Sequence, residues 1–312
     1  RSTLFPYTTL FRSNKNITLY AVQKKAVQLT FHRCDGSTWQ KTTLAKGSSY
    51  SLPGVRDAEG YTFMGWSTKP MQSVSPQYEA EEKITVNGNV DLYAVVFNRT
   101  TETDLTEDQL PQVDIYKYKQ VIFVGDSRTE FMENVLTGMG ESATKNVKFV
   151  CSAGKGLDWF TTTGWAQLYS IVQHDSNSIL SKKTAVIFNF GVNDLSKSAD
   201  YAEYYNWIAP QLKSKGCELY FMSVNPVNRL MLPNAGRADR SEAAVRSFNQ
   251  YMKANLSSAY TYIDMYSYLK STGYSFASDH YGTGTVDDGL HYTTRTYKRI
   301  FAKCMDSLRV PA

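Results

Sequence analysis

Residues 121–130 read VIFVGDSRTE, and this stretch predicts how the larger part of the chain folds. Its four consecutive apolar residues, mostly β-branched, are typical of a buried parallel strand, and the small residues that follow end the strand. Arg128 begins a predicted helix. The turn between strand and helix puts Ser127 at the carboxyl edge of a sheet and at a helix N-terminus, where backbone N–H groups favour developing negative charge. The alternative is that Ser127 only caps the helix.

The same alternation of strand and helix continues along the chain. Further strands are predicted at residues 147–151, 184–190, 218–224 and 260–263, and further helices at residues 157–172, 199–215, 241–256 and 293–308. These alternations predict an α/β domain, a parallel five-stranded sheet with helices on both faces. The first three strands each end at a glycine beside a polar residue. Ser127, Gly154 and Asn193 are therefore expected to converge at the carboxyl edge of the sheet.

Composition and charge exclude several classes of protein. The chain has 312 residues and a formal net charge of +5 that is not clustered, and this length suits about two domains. No Lys/Arg-rich run indicates nucleic-acid binding, and no apolar run reaches the roughly 18 residues of a membrane span. The four cysteines form no CxxC pair, which argues against a zinc site and leaves their pairing open: Cys34, Cys151, Cys217 and Cys304. No metal or organic cofactor is implied.

The N-terminal residues carry two separate signals. Residues 4–13 resemble the conceptual translation of a widely used sequencing adapter, so residues 1–13 are predicted to be an artefact of an untrimmed assembly. The true start is then missing, and the lack of a leader says nothing about export. Residues 16–22 (NITLYAV) match residues 89–95 (NVDLYAV), which indicates that residues 14–24 are the remnant of a preceding repeat.

A complete copy of the repeat spans residues 25–98, with strand-like alternation and turns that contain glycine. It resembles the Listeria–Bacteroides repeat, also called the internalin-type B repeat, through residues 60–68 (GYTFMGWST) and residues 92–94 (LYA). The resemblance implies a small β-grasp-like module on an exported bacterial surface protein. Whether this module binds a ligand or only spaces the next domain stays open.

Residues 99–115 separate the repeat module from the α/β domain, which spans residues 116–312. They are polar and acidic, contain Pro111 and show no sustained periodicity, so they predict a linker. Few apolar residues are then available to join the two domains. We therefore expect the module to be dispensable for any chemistry.

A catalytic serine needs a base within hydrogen-bond reach and a third group that orients the base. Of the four histidines, His32 lies in the repeat module and His174 closes a predicted helix, so neither suits the sheet edge. His280 lies in a loop. His291 precedes the last helix, and one tight turn could bring the carboxylate of Asp288 onto its ring. The alternative is that this aspartate–histidine pair is purely structural.

Four sequence blocks are similar, in order and spacing, to those of the SGNH (GDSL-type) hydrolases. The blocks are residues 125–127 (GDS), Gly154, residues 191–194 (GVND) and residues 288–291 (DGLH). The resemblance covers residues 116–309 and implies a flavodoxin-like fold. It also implies an oxyanion hole, formed by the backbone N–H groups of Ser127 and Gly154 and by the side-chain amide of Asn193.

The resemblance assigns the catalytic roles as well. It implies Ser127 as the nucleophile and His291 as the general base, which then acts as the general acid. Asp288 is implied to orient His291. Asp287 is the competing candidate for that orienting role, and the spacing of the family block favours Asp288.

Several other residues carry expectations of their own. Arg128 stands where the family has leucine, and we expect its charge at the mouth of the site to make a lipase less favourable. Asp126 and Asp194 are expected to hold their turns by bonds from side chain to backbone. Four aromatic residues near the predicted mouth are candidates for stacking on sugar rings, with a place in the core as the alternative: Trp159, Phe160, Tyr281 and Tyr292.

The residues and the resemblance together predict a secreted or cell-surface bacterial serine esterase. Its substrate is expected to be a small ester or an acylated glycan, with acetyl as the acyl group and cell-wall or surface polysaccharide as the carrier. A lipase or thioesterase of the same fold is the alternative enzyme. A non-catalytic surface-binding protein is the alternative outside the enzymes, and the complete set of catalytic positions argues against it. No nucleic-acid partner and no membrane span are expected.

Overall fold

The computed structural model describes residues 24–114, 117–174, 183–277 and 287–308. The predicted artefact at residues 1–13 and nearly all of the predicted repeat remnant lie outside the described residues. So do His280 and Tyr281. Within the described ranges, no helix combines the length and the apolar character needed to cross a bilayer.

The repeat module is built from strands alone. Its strands are β1 (Ala26–His32), β2 (Thr38–Ala45), β3 (Ser48–Ser51), β4 (Tyr61–Ser67), β5 (Lys83–Val86) and β6 (Val90–Asn98). Four of them form a sheet in the order β2-β1-β6-β4, in which β1 and β6 run parallel and the other neighbours run antiparallel. Strands β3 and β5 form a separate antiparallel pair. The predicted small β module is confirmed.

The second domain contains the predicted parallel sheet. Its strands are β7 (Tyr118–Gly125), β8 (Val147–Cys151), β9 (Lys183–Asn189), β10 (Cys217–Met222) and β11 (Tyr260–Ile263). All neighbours pair in parallel, in the order β8-β7-β9-β10-β11. This is the flavodoxin-like strand order, whose direction reverses between β7 and β9. Ligands of such sheets bind at the carboxyl ends of those two strands.

Helices lie between these strands and after the last one. They are α1 (Ser127–Met139), α2 (Leu157–Trp159), α3 (Trp165–His174), α4 (Ser198–Ser214), α5 (Glu242–Asn255), α6 (Met265–Thr272) and α7 (Thr294–Ser307). A π-helical turn, Phe160–Gly164, separates α2 from α3, so the single helix predicted at residues 157–172 is interrupted. Helix α6 is an addition to the predicted elements.

Strand β7 contributes to two cores because its side chains alternate between the two faces of the sheet. Ile122 and Val124 pack into a core with α3, α4 and α5. Val121 and Phe123 pack into a core with α1, α6 and α7. Helices therefore cover both faces, as predicted.

The second of these cores extends into the repeat module. Met64, Val95 and Phe97 are buried in it together with residues of α6 and α7. The prediction that few apolar residues join the domains is therefore wrong. The physical reason is that β6 carries apolar side chains on both faces, and one face of it is covered by the α/β domain.

The predicted linker is also packed against the α/β domain. Glu102 is buried and accepts hydrogen bonds from the hydroxyl of Ser275 and from the guanidinium of Arg299, at 2.5 and 2.9 Å. Leu110 and Val113 lie in the same core as α7. The boundaries of the module, the linker and the second domain stay predictions.

Candidate active site

A tight turn presents Ser127 at the carboxyl end of β7. Asp126 is the N-cap of α1, and its Oδ1 accepts the backbone N–H of Arg128 at 3.0 Å. Ser127 is the first residue of the helix and does not cap it. The turn requires glycine at position 125, since a Cβ there would lie 2.0 Å from the hydroxyl of Thr129 and 2.8 Å from the carbonyl oxygen of Asn189.

Ser127, His291 and Asp288 form a continuous chain of side-chain contacts. The Oγ of Ser127 lies 2.9 Å from the Nε2 of His291, and the Nδ1 of His291 lies 2.6 Å from the Oδ2 of Asp288. The other carboxylate oxygen of Asp288 accepts the backbone N–H groups of Leu290 and His291, at 2.9 and 2.8 Å. One tight turn therefore holds both the carboxylate and the imidazole, and all three side chains are buried.

Asp287, the competing candidate, contacts other groups. Its Oδ1 accepts the backbone N–H of Gly289 at 3.0 Å, and its Oδ2 lies 2.5 Å from the guanidinium of Arg99, the residue that follows β6. Of the two neighbouring aspartates, Asp288 is the one in contact with His291.

The surroundings lower the pKa of His291 below its ordinary value. Burial is the largest cause, the hydrogen bond and charge of Asp288 oppose it, and the guanidinium groups of Arg128 and Arg237 act in the same direction as burial. Burial would raise the pKa of Asp288, but hydrogen bonds from the His291 side chain and from backbone N–H groups hold it below its ordinary range. Near neutral pH this pair is a carboxylate and a neutral imidazole.

The charge of Arg128 does not lie at the mouth of the site. It is buried, and its guanidinium donates to the carbonyl oxygens of Leu290, Asn225 and Pro226 at 3.1, 2.9 and 2.9 Å. The expectation from the family's leucine is therefore wrong, because three backbone carbonyls turn inward to meet the charge. Arg128 joins the loop after β10 to the residue that precedes His291.

Asn193 bridges two turns at the sheet edge. Its Nδ2 donates to the carbonyl oxygen of Lys155 at 2.8 Å, beside Gly154. Its Oδ1 accepts from the Nη2 of Arg240 at 2.8 Å, while the Nε of Arg240 donates to the carbonyl oxygen of Val192 at 2.7 Å. The structure thus brings the turns after β8 and β9 together, as the predicted convergence requires.

Of the two aspartates expected to hold their own turns, Asp126 does so, whereas the side chain of Asp194 bonds residues outside its turn. Asp126 caps α1, the helix that begins at its own turn. The Oδ2 of Asp194 accepts the backbone N–H of Leu157 at 3.0 Å, and its Oδ1 accepts the hydroxyl of Tyr201 at 2.8 Å. Asp194 therefore connects the turn after β9 to the start of α2 and to α4.

Two arginines of this site could not be identified as site residues from the sequence. Arg240 contacts Asn193, and the Nη2 of Arg237 lies 3.3 Å from the Oδ2 of Asp288. Both belong to the segment between β10 and α5, which has no family block. Their charge could be read from the sequence, but the path of their segment could not.

The aromatic residues expected at the mouth are mostly internal. Phe160 and Tyr292 are buried in the two cores, so the prediction that they face a sugar is wrong. Trp159 is partly buried against the first core. The pattern of aromatic residues at these positions reflects packing within the domain.

No disulfide bond joins any of the four cysteines, all of which lie among the described residues. Over residues 24–114, 117–174, 183–277 and 287–308, no group of three or more His, Cys, Asp or Glu side chains could hold a metal ion.

Comparisons with known proteins give two family matches. Residues 121–304 match the GDSL-like Lipase/Acylhydrolase family, and residues 28–95 match the Listeria-Bacteroides repeat domain. Among solved structures, a protein from Slackia heliotrinireducens assigned as an SGNH hydrolase is 13% identical, with a TM-score of 0.44 over 62% of this chain and 100% of that one. An acetyl xylan esterase, AlAXEase, is 12% identical, with a TM-score of 0.42 over 61% of this chain and 100% of that one. No curated protein matches the chain.

Proposed function

The chain belongs to the GDSL-like lipase/acylhydrolase family and is a serine ester hydrolase, and we propose that it removes short acyl groups, acetyl first among them, from carbohydrate. The observation that carries the proposal is the contact chain from Ser127 through His291 to Asp288. The proposed roles follow from this chain and from the charge of each member.

Ser127 is the proposed nucleophile. With Nδ1–H donating to the carboxylate of Asp288, the Nε2 of His291 carries the lone pair and can accept the proton of the Ser127 hydroxyl. The serine oxygen then bonds to the ester carbon, and His291 returns the proton to the departing alcohol. Water repeats the two steps and releases the acid. Asp288 stabilises the imidazolium that forms at each proton transfer.

The proposed oxyanion donors are the backbone N–H groups of Ser127 and Gly154 and the amide of Asn193. The position of Ser127 at the start of α1 supports this, since the N-terminus of a helix favours negative charge. The hydrogen bond from Asn193 to Lys155, in the turn that carries Gly154, supports it as well. Donors that are already oriented before the reaction stabilise the tetrahedral intermediate at little cost in reorganisation.

The surroundings of Asn193 support a polar alcohol. An open cleft there is lined largely by polar and charged side chains, among them Asp194, Ser196, Arg229 and Arg240. Hydroxyl groups of a carbohydrate that lose their hydrogen bonds to water can form new ones with such side chains, whereas a long acyl chain has no group that can. The match to the Listeria-Bacteroides repeat domain supports the proposed place of action, outside the cell or at its surface.

The test is a series of nitrophenyl esters of increasing acyl length, followed by acetylated glycans. We expect the highest kcat/KM for the shortest chains and release of acetate from at least one glycan. Ser127→Ala should lower kcat by a factor on the order of 10⁶, as for loss of the nucleophile in a comparable serine hydrolase. Ser214→Ala, which changes an exposed serine at the end of α4, is the control and should leave kcat within about twofold.

The outcomes separate the alternatives. A clear preference for long acyl chains would favour a lipase, and a preference for thioesters would favour a thioesterase. Activity of more than a few per cent in a clean Ser127→Ala preparation would overturn the assignment of the nucleophile. A folded wild-type protein without activity on any ester would favour a surface-binding protein.

A further inference from the structure

We propose that the repeat module is a working part of the hydrolase, and that Arg99, which directly follows β6 of this module, is a positioning residue for the catalytic turn at residues 287–291. This inference goes beyond the reaction itself, although it rests on the proposed roles of Asp288 and His291. It concerns how the turn that carries Asp288 and His291 is held at the right distance from Ser127.

Arg99 connects the two domains through a pair of carboxylates. Its Nη2 lies 2.7 Å from the Oδ2 of Asp57 in the module and 2.5 Å from the Oδ2 of Asp287 in the catalytic turn. Its Nε donates to the hydroxyl of Thr62 at 2.9 Å, which fixes the guanidinium from the module side. The side chain of Asp57 is 1% exposed and that of Asp287 is 13% exposed, so water screens this bridge poorly.

Asn228 makes a second connection to the same turn. Its Nδ2 donates to the Oδ1 of Asp57 at 2.7 Å and to the carbonyl oxygen of Val55 at 3.1 Å. Its backbone N–H donates to the carbonyl oxygen of Gly289 at 2.8 Å. Asp57 of the module is therefore linked to residue 287 through Arg99 and to residue 289 through Asn228.

Gly289 shows how closely the second connection fits. Its φ is +64°, in the left-handed region that favours glycine, and a Cβ there would lie 2.4 Å from the carbonyl oxygen of Asn228. Any side chain at this position would collide with the segment that carries Asn228, so the turn and that segment are packed backbone to backbone. Between these two fixed sides lies Asp288, in contact with His291.

Other contacts between the domains lie away from this turn. Lys270 of α6 donates to the carbonyl oxygen of Met64 at 2.8 Å, and Arg246 of α5 donates to that of Ala80 at 2.9 Å. These contacts join the module to helices that carry none of the proposed catalytic groups. Arg99 differs because its partner, Asp287, is the direct neighbour of Asp288.

Loss of Arg99 is expected to change the geometry of the catalytic groups more than the binding of the substrate. A catalytic group displaced by about 1 Å can cost about 10²-fold in rate. Burial raises the pKa of Asp57 to about 7, and Arg99 opposes this rise, so without Arg99 the carboxyl of Asp57 becomes more protonated. Asp57 and Asp287 then have no cation between them, and residue 287 is no longer held to the module by this bridge. His291 then meets Ser127 less often in the reactive geometry, whereas the open cleft beside Asn193 keeps its shape.

The test compares variants of the full chain. We expect Arg99→Met to lower kcat on a short nitrophenyl ester by about 10- to 100-fold with KM nearly unchanged. Arg99→Lys keeps a cation between the two carboxylates and should restore most of kcat. Arg246→Met removes an arginine of similar exposure from the same interface and should lower the melting temperature without changing kcat.

A second readout separates this inference from the proposed substrate. The rate at which a fluorophosphonate labels Ser127 reports on the activation of the nucleophile, whichever ester is the natural substrate. It should fall in Arg99→Met and not in Arg246→Met. A wild-type protein that is labelled but hydrolyses no short ester would overturn the proposed substrate class, and the labelling rates would still test Arg99.

Two results would overturn the inference. The first is a folded Arg99→Met protein with the kcat and labelling rate of the wild type. The second applies if Arg99→Met does not fold: Asn228→Ala removes the other connection without leaving a charge unpaired, and we expect it to lower kcat as well. If Asn228→Ala then has the kcat and labelling rate of the wild type, the module is only a structural support.

Discussion

Arg240 donates a hydrogen bond from its Nη2 to the amide oxygen of Asn193 over 2.8 Å. The amide nitrogen of Asn193 in turn donates to the carbonyl oxygen of Lys155 over 2.8 Å. A guanidinium can only donate and a carbonyl can only accept, so these two partners together determine which end of the amide is nitrogen. The N–H groups of Asn193 are thereby directed toward the turn that carries Gly154.

Asn193 should therefore act on the transition state more than on binding. An ester oxygen carries its full charge only in the tetrahedral intermediate, where an amide donor is worth most. We expect Asn193→Ala to lower kcat by about 10²–10³, the size known for one oxyanion donor, with KM little changed. Asn193→Asp is the matched variant, because it keeps an oxygen for Arg240 and loses the donor. A fall in melting temperature with normal kcat would mean that Asn193 only braces its turn.

Asp288 and Asp287 offer a comparison between adjacent residues of the same type. Asp288→Asn removes the charge that stabilises the imidazolium, and a comparable serine protease loses about 10⁴ in kcat from that change. Asp287→Asn keeps one oxygen, which can accept from Gly289 or from Arg99 but not from both, so its loss in kcat should not exceed the loss of about 10- to 100-fold expected for Arg99→Met. Equal kcat losses in the two variants, or a greater loss from Asp287→Asn, would overturn the assignment of Asp288.

The fold of the α/β domain could be predicted because its signals are local. The buried run before Gly125 and the later apolar runs each mark a strand, and alternation with helices leaves few topologies. The sequence could not show what covers the second face of β6. Val95 and Phe97 read as ordinary strand residues there, yet they pack into the core with α7.

Some contacts of the candidate site could likewise be predicted from the sequence, and others could not. Asp288 and His291 are three residues apart, so one turn joins them and their contact could be predicted. Arg128, Arg237 and Arg240 depend on the path of the segment after β10, which no periodicity describes. Each of these arginines has its partners far away in sequence, and only the folded chain brings them together.

Arg237 should tune the pH dependence of the enzyme. Only neutral His291 can accept the proton of Ser127, so kcat/KM should fall as the pH drops through the pKa of His291. Burial lowers this pKa, and the charge of Arg237 lowers it further. Arg237→Gln should therefore raise the pKa and move the acid limb of the profile to higher pH. Asp288→Asn removes a group that raises the pKa and should move the limb the other way.

An exposed arginine provides the control for this profile. Arg229 lines the cleft beside Asn193 and pairs with Asp239 at the surface. Arg229→Gln should leave the acid limb in place. An unchanged limb in Arg237→Gln, or a limb that moves to lower pH, would show that the charge of Arg237 does not reach His291.

Arg128 should contribute to stability although its family counterpart is leucine. Its guanidinium donates to three backbone carbonyls and lies 5.2 Å from the ring centre of Tyr292. In Arg128→Leu those carbonyls stay where they are, buried and without this donor, and one unpaired buried acceptor alone costs about 1–3 kcal/mol. We expect the free energy of unfolding to fall by at least about 2 kcal/mol in denaturant titrations. Arg33→Leu, at an exposed position of the module, should change it by less than about 0.5 kcal/mol. An Arg128→Leu protein as stable as the wild type would mean that the segment after β10 rearranges to satisfy its own carbonyls.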